Sequence, residues 1–451
     1  MKRLNPPQIV ILSFLAIIVC GTILLSLPQA TKEGIRTPLI DALFTATSAT
    51  CVTGLIVKDT GSYFSTFGQF VIMILFQIGG LGIMSLSTFF AVLLGRKLTI
   101  RQNVVVQSAL DHHAVKGLTQ LVISILILTF SLEIIGTSLL FLKIRLMPGM
   151  NTADAWYYSC FHAISAFCNA GFSLYSDSFA RFSSDVFINL VMIGLIIGGG
   201  LGFVVLMDFP KLKFLKYGKS FFLSKITLQT KLVIVTTVIL LLGGTIIFFL
   251  LEKDRMLLAL PLGGKWLASF FQAVTPRTAG FSTLSIAKMT DASLFFIIIL
   301  MFIGASPGST GGGIKTATLA IVIATGFSMM KNRNEVSIFG KVIPRTVVRR
   351  AIVVFLLALA WVIATAFILN ITEGDIVGER DFLRILFETT SAFGTVGLSA
   401  GITPHLSIAG RLFISLAIFV GRIGPLTVAL AIALREEPSD ISYPEERVMV
   451  G

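Results

Sequence analysis

The sequence predicts an all-α integral membrane protein in which helix, half-length re-entrant helix and second helix recur four times around a pseudo-fourfold axis. Three observations point there. Apolar residues make up 55% of the 451 residues and charged residues only 13%, with a mean hydropathy of +0.91; a soluble domain of this length needs about twice that charge to cover its surface. Eight apolar segments are long enough to cross a bilayer, for which about twenty residues suffice. Four half-length amphipathic segments lie between them, each followed by a Gly-containing stretch.

In order, the spans run over 9–28, 66–94, 119–142, 186–208, 230–251, 293–330, 351–371 and 407–434. The first follows Lys2 and Arg3 as a secretory signal would, but its apolar run from Ile9 to Leu27 exceeds a signal core and suits a retained span. The longer spans must tilt, break or protrude. The half-length segments cover 38–50, 154–167, 265–275 and 379–393. Each is too short to cross, and irregular backbone at membrane depth is tolerated only inside protein or beside water, so they read as re-entrant pore helices. The repeats become 1–95, 96–218, 219–340 and 341–434, with a tail over 435–451.

Charge sets the orientation. The N-terminus, the stretches 95–118, 209–231 and 331–350, and the tail together carry twenty Lys and Arg against eight acids, counting Asp208 at their margin, while the opposite loops carry thirteen of each. The positive-inside rule places both termini in the cytoplasm. The net charge of +13 therefore belongs to a membrane face, and nucleic acid is excluded as a partner. Arg277, Lys315, Arg422, Glu133 and Glu388 remain at membrane depth, where charge is costly and functional. The four cysteines, Cys20, Cys51, Cys160 and Cys168, lack the spacing of a zinc site or disulfide framework and read as buried thiols.

The half-length segments align. A Phe stands ten residues before a Gly in each: Phe44 and Gly54, Phe161 and Gly171, Phe270 and Gly280, Phe387 and Gly397. A large apolar residue follows each Gly, and the glycines are spaced by 117, 109 and 117 residues. Such regular self-similarity marks a repeat architecture. Each repeat has two full spans, so successive repeats enter the membrane in the same sense, unlike inverted-repeat carriers. A central pore follows, as in a potassium channel.

A pore that strips water from a cation must replace the lost oxygens, and rings of backbone carbonyls do so in potassium channels. Turning successive carbonyls to one axis needs angles that Gly accepts. The candidate filter residues are Thr50, Cys51, Val52, Thr53 and Gly54; Cys168, Asn169, Ala170 and Gly171; Arg277, Thr278, Ala279 and Gly280; and Gly394, Thr395, Val396 and Gly397. They include no carboxylate ring, and the pore-helix C-termini add partial negative charge. Carbonyl coordination of K+ fits this lining; no metal other than K+ in the filter is expected.

On these residues, and on Phe302-Ile-Gly-Ala-Ser-Pro, Gly421-Arg-Ile-Gly-Pro and Tyr443-Pro-Glu-Glu-Arg, the chain resembles the Trk/Ktr/HKT superfamily, most closely the bacterial Ktr membrane subunits. The resemblance covers essentially the whole chain. It implies potassium uptake across the bacterial plasma membrane, often stimulated by Na+, by a homodimer with one pore per protomer. It also implies a cytoplasmic ring of RCK/KTN-type regulatory subunits, with ATP, ADP or a cyclic dinucleotide bound there and no covalent cofactor on this chain. In that family a Ser at the first filter Gly accompanies sodium permeation, so Gly54 implies potassium.

The span 293–330 is interrupted by Gly304, Ala305, Ser306, Pro307, Gly308, Ser309, Thr310, Gly311, Gly312, Gly313, Ile314 and Lys315. Five glycines and a proline cannot continue as a helix, and the resemblance makes this loop the gate. An extra Ile between Gly313 and Lys315, with the membrane setting, excludes a Walker A loop. Arg422, in the matching span of the fourth repeat, is expected to hold the loop through its carbonyls. Arg277 and Glu388 are expected to pair behind the filter. His162 reads as packing at a pore-helix margin, and Glu133 has no evident role. No nucleophile–base or metal constellation suggests an enzyme. The rival reading is a symporter moving K+ with Na+ or protons by alternating access.

Overall fold

The computed structural model describes residues 6–82, 118–208, 226–333, 335–374 and 382–432. The basic stretch 95–118 apart from its last residue, most of 209–231, the far part of the span 66–94, Lys2 and Arg3, and the tail 435–451 lie outside the described residues.

Four units follow one another. The first holds α1 (Pro6–Ser26), α2 (Leu39–Thr50) and α3 (Thr66–Leu81). The second holds α4 (Leu118–Ile144), α5 (Thr152–Phe167), α6 (Val186–Gly200) and the short α7 (Phe203–Asp208). The third holds α8 (Leu228–Glu252), α9 (Leu262–Val274), α10 (Asp291–Phe302) and α11 (Thr316–Met330). A hairpin of β1 (Ser337–Ile338) and β2 (Lys341–Val342), with Ser337 opposite Val342, leads to the fourth. That unit holds α12 (Arg345–Thr372), α13 (Phe382–Gly394), α14 (Ile408–Ile423) and α15 (Pro425–Ile432).

The first helix of each unit is the long one. α1, α4, α8 and α12 contain 21, 27, 25 and 28 residues, and at about 1.5 Å per residue each covers the roughly 30 Å hydrocarbon core. Their outward faces are apolar: Val19, Ile134, Ile239 and Phe367 are all more than half exposed. In water such faces would aggregate, whereas lipid is their natural solvent.

The inner helices α3, α6, α10 and α14 contain only 16, 15, 12 and 16 residues, too few to cross. Each begins at a side-chain cap. Ser65, Asp185, Thr290 and Ser407 accept from the backbone N–H three residues on, at 3.3, 3.0, 3.2 and 3.1 Å, which satisfies an otherwise orphaned donor. Each inner helix also ends at a glycine or at the residues just before one. Gly82, Gly202 and Gly424 have φ of +80°, +90° and +93°, a region that Gly enters without strain. In the third unit Ile303, with ψ of 88°, turns the chain out of α10 at Gly304.

One interruption was expected, within 293–330. The structure adds breaks within 186–208 and 407–434, the last a 94° bend between α14 and α15. Pro425 after Gly424 forbids a continuous helix there. The eight crossing segments thus resolve, among the described residues, into four unbroken spans and second helices that stop partway.

Close packing explains a second set of glycines. Gly79, Gly199 and Gly421 lie against the terminal carbonyls of the neighbouring half-length helices, those of Thr50, Phe167 and Phe393, and a Cβ at any of them would overlap the oxygen. Phe44, Phe161 and Phe387 are fully buried at the heart of their units. In the third unit Phe271, not Phe270, fills that place, so its half-length helix is offset by one residue from the sequence alignment. The thiols also divide: Cys51 and Cys168 are buried, Cys160 is half-buried and Cys20 is exposed on α1.

Gly199→Ala is expected to lower the apparent Tm in detergent, because overpacking a tight contact costs about 1–3 kcal/mol. Gly198→Ala serves as the control, since a Cβ there meets only Leu132 and Phe167 side-chain atoms at 3.9 Å. Equal Tm values for the two variants would contradict the packing argument.

Candidate functional site

Each half-length helix leads into the same turn. Two residues before the aligned glycines, Val52, Asn169, Thr278 and Thr395 have φ of +58°, +58°, +71° and +50°. The glycines follow at +90° for Gly54, +70° for Gly171, +76° for Gly280 and +90° for Gly397. Of the seven non-glycine residues with positive φ among the described residues, four occupy this one position. Such angles are outliers for Val and Thr, so the surroundings impose them. Alternating left-handed and ordinary residues turns successive carbonyls to one side, where an ordinary strand would point them to both.

The four turns meet in a closed ring. A Cβ placed on Gly54 would lie 2.9 Å from Gly171 Cα; on Gly171, 3.1 Å from Gly280 Cα; on Gly280, 3.3 Å from Gly397 Cα; and on Gly397, 3.1 Å from Gly54 Cα. The carbonyl before each glycine abuts the preceding unit: Ala170 O faces Gly54, Ala279 O faces Gly171, Val396 O faces Gly280 and Thr53 O faces Gly397. Any side chain here would collide with main chain. The C-terminal ends of α2, α5, α9 and α13 add partial negative charge, and no residue of 50–54, 168–171, 277–280 or 394–397 is acidic.

Hydroxyls on the half-length helices hold the turns. Gly54 N donates to Ser48 Oγ and Gly397 N to Ser391 Oγ, both at 3.1 Å. Ser165 Oγ donates to Phe172 O at 2.8 Å, and Thr275 Oγ1 to Phe281 O at 2.5 Å. Main-chain bonds repeat the pattern: Thr53 N donates to Ser48 O, Ala170 N to Ser165 O and Val396 N to Ser391 O, at 2.7–2.8 Å. In the third unit Ala279 N donates to Thr275 O at 3.0 Å, one residue closer, which restates the offset.

Below the ring, on the side towards which the half-length helices point, lies the chain from Ile303 to Lys315. Ser306 N donates to Gly200 O at 3.1 Å, Thr310 N to Gly199 O at 3.3 Å and Gly313 N to Gly421 O at 3.3 Å. Gly308 O accepts from Phe203 N at 2.9 Å, and Ala305 O from Thr316 N at 3.4 Å. Pro307 O stands against Gly202, and Gly304 against Gly313. Ser309 Oγ donates to Ser306 O at 2.6 Å. Gly311 and Gly312 press on Thr278 Oγ1 and Thr395 Oγ1, two of the left-handed residues, leaving no room for a Cβ; Gly312 N donates to Thr395 Oγ1 at 3.0 Å.

Two cations grip this loop. Lys315 Nζ donates to Gly311 O at 2.6 Å and Gly312 O at 3.5 Å. The Arg422 guanidinium donates to Thr310 O and Gly79 O, so it bridges the loop of the third unit to the inner helix of the first. It stands at the break of α14, next to Gly421, which lies against the carbonyl of Phe393 as Gly79 lies against that of Thr50.

The expected Arg277–Glu388 pair does not form. Ser399 Oγ and Ala400 N donate to Glu388 Oε1 at 2.5 and 2.9 Å, and Thr403 Oγ1 donates to Oε2 at 2.7 Å. Arg277 is 7% exposed, and its Nε and Nη2 find no hydrogen-bond partner among the described residues. Three residues before its glycine, Arg277 belongs to the inner end of its unit; Glu388, nine before, lies about two helical turns further out. Local donors satisfy the buried carboxylate instead. His162 is fully buried, packed against Tyr175 and Phe179. Glu133 gains a place: both its oxygens accept from Gln77 Nε2, at 2.9 and 3.1 Å, and Gln77 Oε1 accepts from Cys168 Sγ at 3.2 Å. It ties α4 and α3 to the second turn of the ring.

Sequence reasoning missed the left-handed residue two before each glycine, because nothing in Val or Thr announces positive φ. It also passed over a serine two residues after three of the glycines, Ser173, Ser282 and Ser399, and the Gly-Leu-Gly breaks at 80–82 and 200–202; all of these are visible as repeats.

With this geometry in hand, comparison with known proteins is specific. The family model for TrkH, described as a cation transport protein, matches residues 4–443. The chain is 41% identical to the Ktr system potassium uptake protein B of Bacillus subtilis, over all of this chain and 97% of the relative. It is 38% identical to the potassium/sodium uptake protein NtpJ of Enterococcus hirae, over all of this chain and 98% of the relative. The crystal structure of the potassium transporter TrkH from Vibrio parahaemolyticus superposes with a TM-score of 0.72 at 19% identity, covering 93% of this chain and 84% of that one, which shows a shared fold. A chain with this match along nearly its whole length belongs to the TrkH family of cation transport proteins.

Proposed function

We propose that this chain is the potassium-translocating membrane subunit of a bacterial uptake system, conducting ions along the axis of the glycine ring. The observation that carries the reading is the closed ring itself, in which each unit's carbonyl abuts the preceding unit's left-handed glycine. Such carbonyls replace the hydration shell of a large monovalent cation. Relatives named for potassium and for potassium/sodium uptake support the same cargo. The repeats are 1–95, 96–218, 219–340 and 341–434, all entering the membrane in one sense, which favours a pore over a rocking carrier. The loop 304–315 is the gate, held across the axis by Arg422 and Lys315.

The finer assignments rest on the sequence resemblance. The subunit works as a homodimer in the bacterial plasma membrane, with both termini cytoplasmic. A cytoplasmic RCK/KTN-type ring carrying ATP, ADP or a cyclic dinucleotide regulates it, and Na+ stimulates it.

Two outcomes are expected for purified protein in liposomes. Gly171→Ala places a side chain at φ +70° and 3.0 Å from Ala279 O, a conformation costing about 1–2 kcal/mol before any clash. Potassium flux should fall at least tenfold with normal membrane insertion; undiminished flux would reject the filter. Arg422→Ala releases Thr310 O and Gly79 O, so flux should rise severalfold and amide exchange across 303–315 should accelerate. Unchanged flux and exchange would reject the gate.

A further inference from the structure

The half-length helices carry a second set of repeated contacts, on the outer side of the ring. In the fourth unit Glu388 takes hydrogen bonds from Ser399 Oγ and Ala400 N, two and three residues past Gly397. His162 does the same in the second: its Nε2 lies 3.1 Å from Ser173 Oγ and accepts from Leu174 N at 3.1 Å, two and three residues past Gly171. Because Nε2 accepts a main-chain N–H, the ring proton belongs to Nδ1, which lies 2.7 Å from Tyr158 O. The imidazole is thereby locked in one tautomer and stacked on Tyr175, with centroids 4.9 Å apart and planes within 7°.

The third unit, corrected for its one-residue offset, puts Gln272 at the same place. Gln272 Nε2 donates to Ser282 Oγ at 3.2 Å, two residues past Gly280. All three serines brace their own strands as well, accepting from the N–H two residues on: Tyr175 to Ser173, Leu284 to Ser282 and Gly401 to Ser399, at 3.0, 3.3 and 2.9 Å. The first unit departs. Its equivalent residue, Thr45, donates back to Asp41 O at 2.8 Å, and Ile56 stands where the serine would be.

We infer that His162, Gln272 and Glu388 are equivalent posts: positioning residues that pin the strand leaving each glycine to its own half-length helix and so determine selectivity between K+ and Na+. The inference rests on the filter reading proposed above. A carbonyl ring that prefers the larger ion must resist contracting onto the smaller one. Resistance has to come from behind the strands, since the ring's lumen contains none. All three posts are fully buried, where a hydrogen bond is strong and an unpaired polar group costly. The first strand, without a post, has the greater freedom to adjust.

The test is the ratio of K+ to Na+ flux through purified protein in liposomes. Glu388→Ala and His162→Ala should each lower the ratio about tenfold, equivalent to about 1.4 kcal/mol. Glu388→Gln should return it to within about threefold of wild type, since Gln272 already performs this role in the third unit. A merely structural role would lower both fluxes together and leave the ratio alone. An unchanged ratio in both alanine variants overturns the inference, provided Gly171→Ala still impairs flux; normal flux in Gly171→Ala overturns the filter reading instead. Should the alanine variants fail to insert, the double variant Ser173→Ala/Ser399→Ala removes the hydroxyl bond to each post and leaves the main-chain bonds from Leu174 N and Ala400 N. A lowered ratio there supports the posts, and an unchanged one rejects them.

Discussion

Main chain that leaves a helix at membrane depth must find hydrogen-bond partners inside the protein, because lipid offers none. This constraint organises the molecule. Four chain segments abandon helical geometry near one axis, and each does so where another unit receives it. The long outer helices face lipid and make no comparable demands. The inner helices stop at glycine breaks, and their freed carbonyls at Gly199, Gly200 and Gly421 accept from the 303–315 loop. The loop is therefore less an insertion than the partner that the other units' broken helices require.

Approach distance then dictates composition. Gly54, Gly171, Gly280 and Gly397 touch one another; Gly79, Gly199 and Gly421 touch the ends of the half-length helices; and Gly311, Gly312 and Gly313 touch the underside of the ring. In each set a single methyl group meets main chain or a buried hydroxyl. The hydroxyls of Ser48, Ser165, Thr275 and Ser391 complete the arrangement by supplying the bonds that a turn of this kind lacks.

Much of this was legible in the sequence, and the failures are instructive. The matched Phe-to-Gly spacing located all four turns, since spacing survives where side-chain identity drifts. It misled by one residue in the third unit, where Phe271 replaces Phe270 in the core and Thr275 takes the place of a serine. Only distances show such an offset. The Arg277–Glu388 pair failed because complementary charge was weighed without position along the helix. Ser399, Ala400 and Thr403, adjacent in the chain, were better partners than a distant guanidinium. The breaks of α6 and α14 were hidden by apolar composition, which reads as continuous span although Gly202 and Gly424 interrupt it.

Arg422 shows how the pieces cohere. It sits at a helix break, touches the loop and reaches the first unit, so one side chain spans three of the four units. On the proposed reading, these bonds hold the loop beneath an axis that carries cations. The most direct measurement is therefore anomalous scattering from crystals of the protein soaked in Rb+ or Tl+. Density on the axis, encircled by the carbonyl oxygens of Thr53, Ala170, Ala279 and Val396, is the expected result. An axis without a peak, with ions bound only to side chains elsewhere, would contradict it.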